Sequence, residues 1–397
     1  MYFQTLDSKN ECFGIFCNDK IYYSRDKLDI DELTHTWAYA DYLKDNINIC
    51  YAQLYCGGKT LQEACPKKYQ EHMDEVSLKL KAYIRSMNEC KLSMKEHCFY
   101  DFVPKKVLHD LCELKNKISL HIFKNYTKPD NYETLLELTR MLNEISNRKI
   151  EYDISALNHK KKNYALEQFT KKMQSIEPYI NYDQYKSKTG RLVTKPNSFP
   201  ILTMDTAYRA ILKPKNDWFV ELDYNAAELR VLLGLQGTEQ PQGDLHAWNA
   251  LNVLKTKKRE TSKKKIFTWL YGNKKNDKIE QYYKRELVKQ KYWDGKNVKT
   301  VFGREIESDD HHAINYIIQS TAADMFLRQM VKVWKKINNT KTEIAFCMHD
   351  SIILDFSEKD MNILKSVKNI FADTQFGKFE VNVKVGKDYL NMQKLAM

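Results

Sequence analysis

The sequence predicts an α+β fold, and three observations carry that prediction. Residues 1 to about 30 alternate in strand fashion, through Cys12-Phe13-Gly14-Ile15-Phe16-Cys17 and then Ile21-Tyr22-Tyr23. From about 70 to 180 apolar residues recur at helical spacings. Beyond about 200, short apolar strands are interleaved with helices.

Composition bounds what the chain can be. Its 397 residues correspond to two or three lobes at about 150 residues each. Apolar residues make up 43%, enough for a sizeable core, and no run of 18 apolar residues is present, so no membrane span or membrane partner is expected. The opening MYFQTLDSKNECFG lacks a basic segment followed by an apolar one, so a cytoplasmic location is the expectation. Lys and Arg number 64 against 52 acids, a net +12. A basic, tyrosine-rich chain suits a polyanion, because cations neutralise phosphates and rings stack on bases. A merely basic soluble protein fits the same numbers. The nine cysteines include no CxxC pair, so a structural zinc is not expected. Their odd count points to reduced thiols.

The elements follow in order. Val76, Leu80, Ile84 and Met87 mark one helix, and Leu135, Leu138, Leu142 and Ile145 another. Lys160-Lys161-Lys162 and Lys171-Lys172 read as solvated helix faces. Trp218 to Leu222 is a buried strand ending on Asp223, with a helix at once behind it carrying Leu229, Val231, Leu232 and Leu235. Helices are predicted at about 259–271 and 313–337. Ile344–Met348 and Ile352–Leu354 form two strands joined at His349-Asp350-Ser351.

Asp223 and Asp350 each close an apolar strand. A carboxylate there is costly unless it meets a cation or a metal. Two from distant segments could converge on Mg²⁺, which takes carboxylates plus substrate phosphates. Taken separately, a helix-start role for Asp223 and a turn role for Asp350 are the better explanations; taken together they fit less well.

Arg259, Lys263, Phe267 and Tyr271 stand four apart. On a helix each such step drifts by only about 40°, so all four share one face over roughly 18 Å. Two cations followed by two rings suit a triphosphate at one end and a sugar and base at the other. A basic first turn opposes the helix dipole, which marks it as kept for a ligand. Gly272 is the expected helix stop.

This segment resembles motif B of the family A (DNA polymerase I-like) polymerases, R-x3-K-x3-F/Y-G-x2-YG. Leu222-Asp223-Tyr224-Asn-Ala-Ala-Glu228-Leu229-Arg230-Val231 resembles motif A, usually D-Y-S-Q-I-E-L-R, and Met348-His349-Asp350-Ser351 resembles motif C, usually H-D-E. Thr189-Gly190-Arg191-Leu192, Gly243-Asp244-Leu245-His246, Thr300-Val-Phe302-Gly303-Arg304, Asn315-x3-Gln319-Ser-Thr-Ala322-Ala323-Asp324 and Val385-Gly386-Lys-Asp388-Tyr389-Leu390 follow in the family's order. The likeness covers about 189–390.

The resemblance implies a right-hand polymerase fold with an antiparallel-sheet palm, helical fingers and a helical thumb. It further implies template-directed DNA synthesis on primer-template DNA from dNTPs, with two Mg²⁺ ions. Asp223, Asp350 and the carbonyl of Tyr224 would hold the metals. Arg259, Lys263 and His246 would grip the β/γ-phosphates, with Lys263 as general acid. Phe267 would lie against the nucleotide and Tyr271 would guard the template stack. Arg191, Asn315 and Gln319 would touch duplex, with His349 beside the primer terminus. Glu228 would exclude a ribose 2′-OH; Asn225-x-x-Glu228 also fits a capping box.

Ser351 and Thr268 depart from the family pattern and resemble single-subunit phage-type RNA polymerases, so an RNA polymerase or primase-like enzyme on the same palm is the alternative. Glu228 favours DNA synthesis. Phe267 in place of tyrosine implies discrimination against dideoxynucleotides. Asp7-Ser8-Lys9 lacks the glutamate of the family's 3′–5′ exonuclease, and Tyr126-x3-Asp130 is a weak match to its third motif, so no proofreading is expected. The expected domains are 1–110 of unassigned role, 111–200 thumb-like, 201–245 palm, 246–319 fingers, shortened between Tyr271 and Thr300, and 320–397 palm. In a compact, phage-style enzyme of this kind residues 30–110 are expected either to dock a helicase, a clamp, a single-strand binding protein or a separate exonuclease, or equally to brace the thumb.

Overall fold

The computed structural model describes residues 1–159, 163–272 and 275–396. The chain divides into two units, Met1–Arg148 and Lys149–Met397. No described helix is long and apolar enough to cross a membrane.

In the first unit, strands β1 (Gln4–Thr5), β2 (Ile15–Cys17) and β3 (Lys20–Tyr22) form an antiparallel sheet in that order. Asn18 and Asp19 link β2 to β3 with φ of 48° and 56°. A two-residue turn with both φ positive matches the twist of its strands, and Asn and Asp tolerate that conformation best after glycine. Three helices follow: α1 (Gln70–Glu89), α2 (Lys105–Asn125) and α3 (Tyr132–Asn147). Of the α1 stripe, Val76 and Met87 are buried, while Ile84 is 40% exposed. Leu108, Leu111, Leu114, Ile118 and Ile122 make one buried face of α2, at the 3.6-residue period.

The expected boundary at 110/111 falls inside α2, whose buried face runs from Leu108 to Ile122. One expectation is corrected here. The cysteines are not all reduced, because Cys12 and Cys98 form a disulfide with their Cα atoms 5.4 Å apart. They stand 86 positions apart, so spacing in the sequence carried no sign of the pairing.

In the second unit α4 (Tyr164–Ser175) carries Lys171 and Lys172 exposed, as a solvated face requires. Lys160, Lys161 and Lys162 lie outside the described residues. The centre is a five-stranded antiparallel sheet built on β4 (Trp218–Tyr224). The chain then forms α5 (Ala227–Leu235), α6 (Leu245–Asn252), α7 (Arg259–Tyr271) and the 28-residue α8 (Asp310–Ile337). It returns through β5 (Glu343–Met348), β6 (Ser351–Phe356), α9 (Leu364–Ala372), β7 (Val381–Gly386) and β8 (Gln393–Lys394). The sheet order is β5-β6-β4-β7-β8. The expected boundary at 319/320 falls inside α8, whose buried residues run from Ala313 to Ile337 without a break.

Alternation along β4 positions the site. Tyr224 faces α9, stacking on Phe371 at 4.1 Å and donating from its hydroxyl to the Phe371 carbonyl at 2.6 Å. Phe219 and Glu221 point the other way, against Phe346 and Tyr389. Asp223 shares their face. Burial on both sides explains why β4 reads as a nearly continuous apolar run.

Candidate active site

Strand register brings the two predicted acids together. Asp223 pairs with Ser351 on one side and Asn382 on the other. Met348 and Ser351 close a tight hairpin whose two turn residues are His349 and Asp350. Asp350 therefore rises directly beside the end of β4. Burial, then the charges of Asp350 and Glu221, push the Asp223 carboxyl up to about 6. Burial also raises Asp350, and the charge of Glu228 adds to that. Glu221 is neutralised by Lys384 at 2.5 Å, whereas Asp223, among the described residues, receives a 3.4 Å hydrogen bond from Asn382 and feels the charge of Lys384 only weakly. An undercompensated pair of carboxylates suits a hard divalent cation.

Ser351 is buried and donates to the Met348 carbonyl at 3.0 Å. Its hydroxyl locks the turn. Behind the turn the Tyr182 hydroxyl donates to the Cys347 carbonyl at 2.7 Å and accepts the Cys347 N–H at 3.1 Å.

Helix α7 has the predicted bounds and carries Arg259, Lys263, Phe267 and Tyr271 in successive turns. The Phe267 ring lies between His246, at 5.8 Å, and Tyr271, at 6.2 Å. Lys263 stands exposed. Burial, Lys263 and Arg259 lower the His246 imidazole to about 4, so it is neutral near pH 7. Its buried Nδ1 has no hydrogen-bond partner among the described residues. Arg259 donates from Nε to Asp244 at 2.7 Å and is also paired with Glu260. Asp244 in turn caps α6, accepting the His246 and Ala247 N–H groups at 2.8 and 3.2 Å. Gly272 ends α7 in extended backbone, with φ of −113°, so the left-handed stop is not used. Glycine is needed there because a Cβ would sit 2.4 Å from the Thr268 carbonyl oxygen.

The capping box at Asn225-x-x-Glu228 does not form. Ala226 occupies the cap position with φ of 57° and no side-chain hydrogen bond. Asn225 instead accepts the Leu245 N–H at 2.8 Å, tying β4 to the start of α6. That leaves Glu228 to the site. It accepts from Arg191 at 2.6 Å and from the Tyr271 hydroxyl, and Tyr271 is also hydrogen-bonded to Gln319. Asn315, one turn before Gln319, has its Oδ1 buried and without a partner among the described residues. Arg191 and His349 line a neighbouring cavity of about 400 Å³ that also takes in Thr189, Phe326 and Leu327.

Several contributors escaped residue-by-residue reading. Arg230 is fully buried, and its guanidinium donates to the carbonyls of Asn225, Pro241 and Gly243 at 2.8, 3.0 and 2.6 Å. It holds the loop between α5 and α6. Tyr182 and Asn382 act through partners more than 150 residues away. No local pattern marks them.

In the first unit, Asp7 is engaged by its own neighbourhood. It accepts from Lys9 Nζ at 2.7 Å, from the Ser8 and Lys9 N–H groups and from the Phe99 N–H at 2.9 Å. The Tyr126 hydroxyl accepts from Lys59 at 3.2 Å.

Residues 265–391 match the model of DNA polymerase family A. DNA polymerase I of Chloroflexus aurantiacus is 27% identical over 277 residues, 55% of this chain and 29% of that protein. The thermostable DNA polymerase I of Thermus aquaticus is 24% identical over 275 residues, 54% and 33% of the two chains. DNA polymerase I of Borreliella burgdorferi is 23% identical over 344 residues, 72% and 37%. The chain thus spans about a third of the length of these curated relatives. The POL domain of Pol1 from M. smegmatis, solved in complex with DNA primer-template and dNTP, shares its fold with a TM-score of 0.64 at 13% identity, over 98% of this chain and 96% of that one. Residues 265–391 of this chain thus resemble DNA polymerase family A, and the chain shares the α+β fold of that solved polymerase domain.

Proposed function

We propose that the chain is a DNA-directed DNA polymerase that extends a primer 3′-OH with dNTPs by two-metal nucleotidyl transfer. One observation carries the reading: strand register sets Asp223 beside Asp350, both with raised carboxyl pKa, on the side of the sheet approached by Glu228 and the end of α7. In the reaction the 3′ oxygen forms a bond to the α-phosphorus, its proton leaves to solvent, and the bond to the pyrophosphate oxygen breaks.

The two carboxylates and the Tyr224 carbonyl fit Mg²⁺, which favours hard oxygen ligands and keeps substrate phosphates in its shell. Two such ions would supply charge neutralisation and Lewis acidity. Lys263, exposed and one turn from Arg259, would take the β/γ-phosphates and give its proton to the leaving pyrophosphate. Arg259 would exchange Asp244 for phosphate. His246, neutral with an open Nδ1, would accept or donate without adding charge. Phe267 would support the nucleotide, and Tyr271 would lie beneath the template stack. Glu228, held by Arg191 and Tyr271, would occupy the space a 2′-OH needs, which supports dNTPs over rNTPs. Asn315, Gln319 and His349 would contact duplex at the primer end. In these terms the five-stranded sheet is the palm, and α6 and α7 belong to the fingers. The first unit is proposed to lack proofreading, a reading supported by the Asp7–Lys9 pair.

Extension of a labelled primer on a DNA template, with Mg²⁺ and either dNTPs or rNTPs, tests this. Extension with dNTPs alone is expected. Extension with rNTPs alone would transfer the reading to RNA synthesis, and none with either would remove it.

A further inference from the structure

A groove of about 740 Å³ in the first unit is unrelated to the residues assigned above. It lies between the turn Lys67–Tyr69 that leads into α1 and the C-terminal half of α2. Lys67, Lys68, Lys117 and Lys124 line it, and no carboxylate does. Lys117 and Lys124 are seven residues apart, so they stand on one face of α2, about 10 Å apart along its axis. Tyr69 and Phe123 line the groove beside these cations, each partly exposed and backed by the first unit's core, and Lys68 lies 4.6 Å from the Tyr69 ring centroid.

We infer that this groove binds a single-stranded polynucleotide without cleaving it. Lys117 lies 3.9 Å from Glu113, while no ion pair compensates Lys67, Lys68 or Lys124 among the described residues, so the groove keeps an excess of positive charge that attracts a chain of phosphates. Partly exposed rings beside cations suit unpaired bases, whose faces stack whatever the sequence. A duplex hides those faces. A membrane surface would want a flat basic patch with a broad apolar rim, and this site is concave. No carboxylate in the groove is available to hold a catalytic metal, so it retains the strand and leaves it intact. The inference takes from the polymerase reading only the identity of the polymer.

The test uses the full chain without dNTPs and a fluorescein-labelled oligothymidylate of about 20 residues carrying 5-iodouracil. Photocrosslinks mapped by mass spectrometry are expected on Tyr69 or Phe123. The combined Lys67→Gln, Lys68→Gln, Lys117→Gln and Lys124→Gln variant should lose about tenfold or more of that crosslink. The slope of log affinity against log salt should fall by about 3, at roughly 0.7 per phosphate contact on a single strand. The matching Lys→Arg variant should keep both, and equal melting temperatures would show that each variant folds. Absence of crosslinks in the first unit would overturn the inference. So would equal crosslinking by the Gln variant, or displacement by tripolyphosphate or polyglutamate as readily as by unlabelled oligonucleotide. A chain that crosslinks here but fails to extend primers counts against the polymerase reading alone; the reverse result counts against this inference alone.

Discussion

Arg304 grips Asp324 with two hydrogen bonds, from Nε at 3.1 Å and Nη2 at 2.6 Å, and Gly190 lies against the same guanidinium. Three motif segments, at 189–192, 300–304 and 315–324, are thereby joined through one side chain. Gly190 has φ of 77°, and a Cβ built on it would sit 2.4 Å from Arg304 Nη2. Asp324→Asn should cost about 2 kcal/mol, since it leaves a partly buried guanidinium without its carboxylate. Gly190→Ala should cost about 1–3 kcal/mol from φ and the clash together. Denaturant melts of each variant check both, and a loss below about 0.5 kcal/mol for either would show that the junction is slack.

Asp223→Asn and Asp350→Asn should each lower single-nucleotide incorporation by about 10³-fold or more while primer–template affinity stays within a few-fold. Because the two acids repel, each variant should also melt higher than the native chain in EDTA at pH 8. Parallel loss of binding and of thermal stability would assign these residues a structural role.

Glu228→Ala should narrow the preference for dNTPs over rNTPs by about 10- to 200-fold, the range that steric exclusion of one small group delivers. Tyr271→Phe removes one of the two hydrogen bonds that hold Glu228 and should give an intermediate ratio. The measurement is the ratio of kcat/KM values for the two sugars. An unchanged ratio in Glu228→Ala would detach sugar selection from this residue.

His246 offers a pH signature. Its folded value of about 4 lies below the ordinary 6.5, so between those two pH values the unfolded chain takes up a proton that the folded chain refuses. Stability therefore falls as pH drops through that window, by at most about 3 kcal/mol. His246→Gln should show a shallower loss of melting temperature over the same range, and Lys263→Ala should raise the imidazole pKa when followed by NMR. Identical slopes for the native chain and His246→Gln would show that the ring titrates normally.

Lys263→Ala should slow the chemical step by about 10²- to 10⁴-fold, the usual contribution of a positioned acid, with a smaller change in nucleotide affinity. Quenched-flow single-turnover rates decide it; an unaltered rate would leave Lys263 only a binding role.

What the sequence disclosed well is what burial imposes locally. The β4 strand and the two strands flanking His349-Asp350 agree with their apolar patterns because they are covered by their neighbours, and α7 keeps its expected bounds with only Ser262, Ile266, Trp269 and Leu270 buried. Misreadings arose where a side chain chose a distant partner over a near one. Asn225 passes over the cap three residues away and takes the N–H of Leu245, twenty residues on. Cys12 pairs with Cys98, 86 positions on in the chain. The 110/111 and 319/320 divisions lie inside helices, and a change of expected role along the chain need not interrupt a helix.

His349 has φ of 55° at the first position of its two-residue turn, where a hairpin of type II′ prefers glycine. Ala226, with φ of 57°, is held in the same unfavourable region on the other side of Asp223. A programme that improved this protein for heat resistance by relieving backbone conformation would therefore select His349→Gly and Ala226→Gly among its first substitutions. Both would relax the two bends that aim the acids. Robustness and turnover pull in opposite directions at these positions, and the most rugged variant of this chain should be one of its slowest.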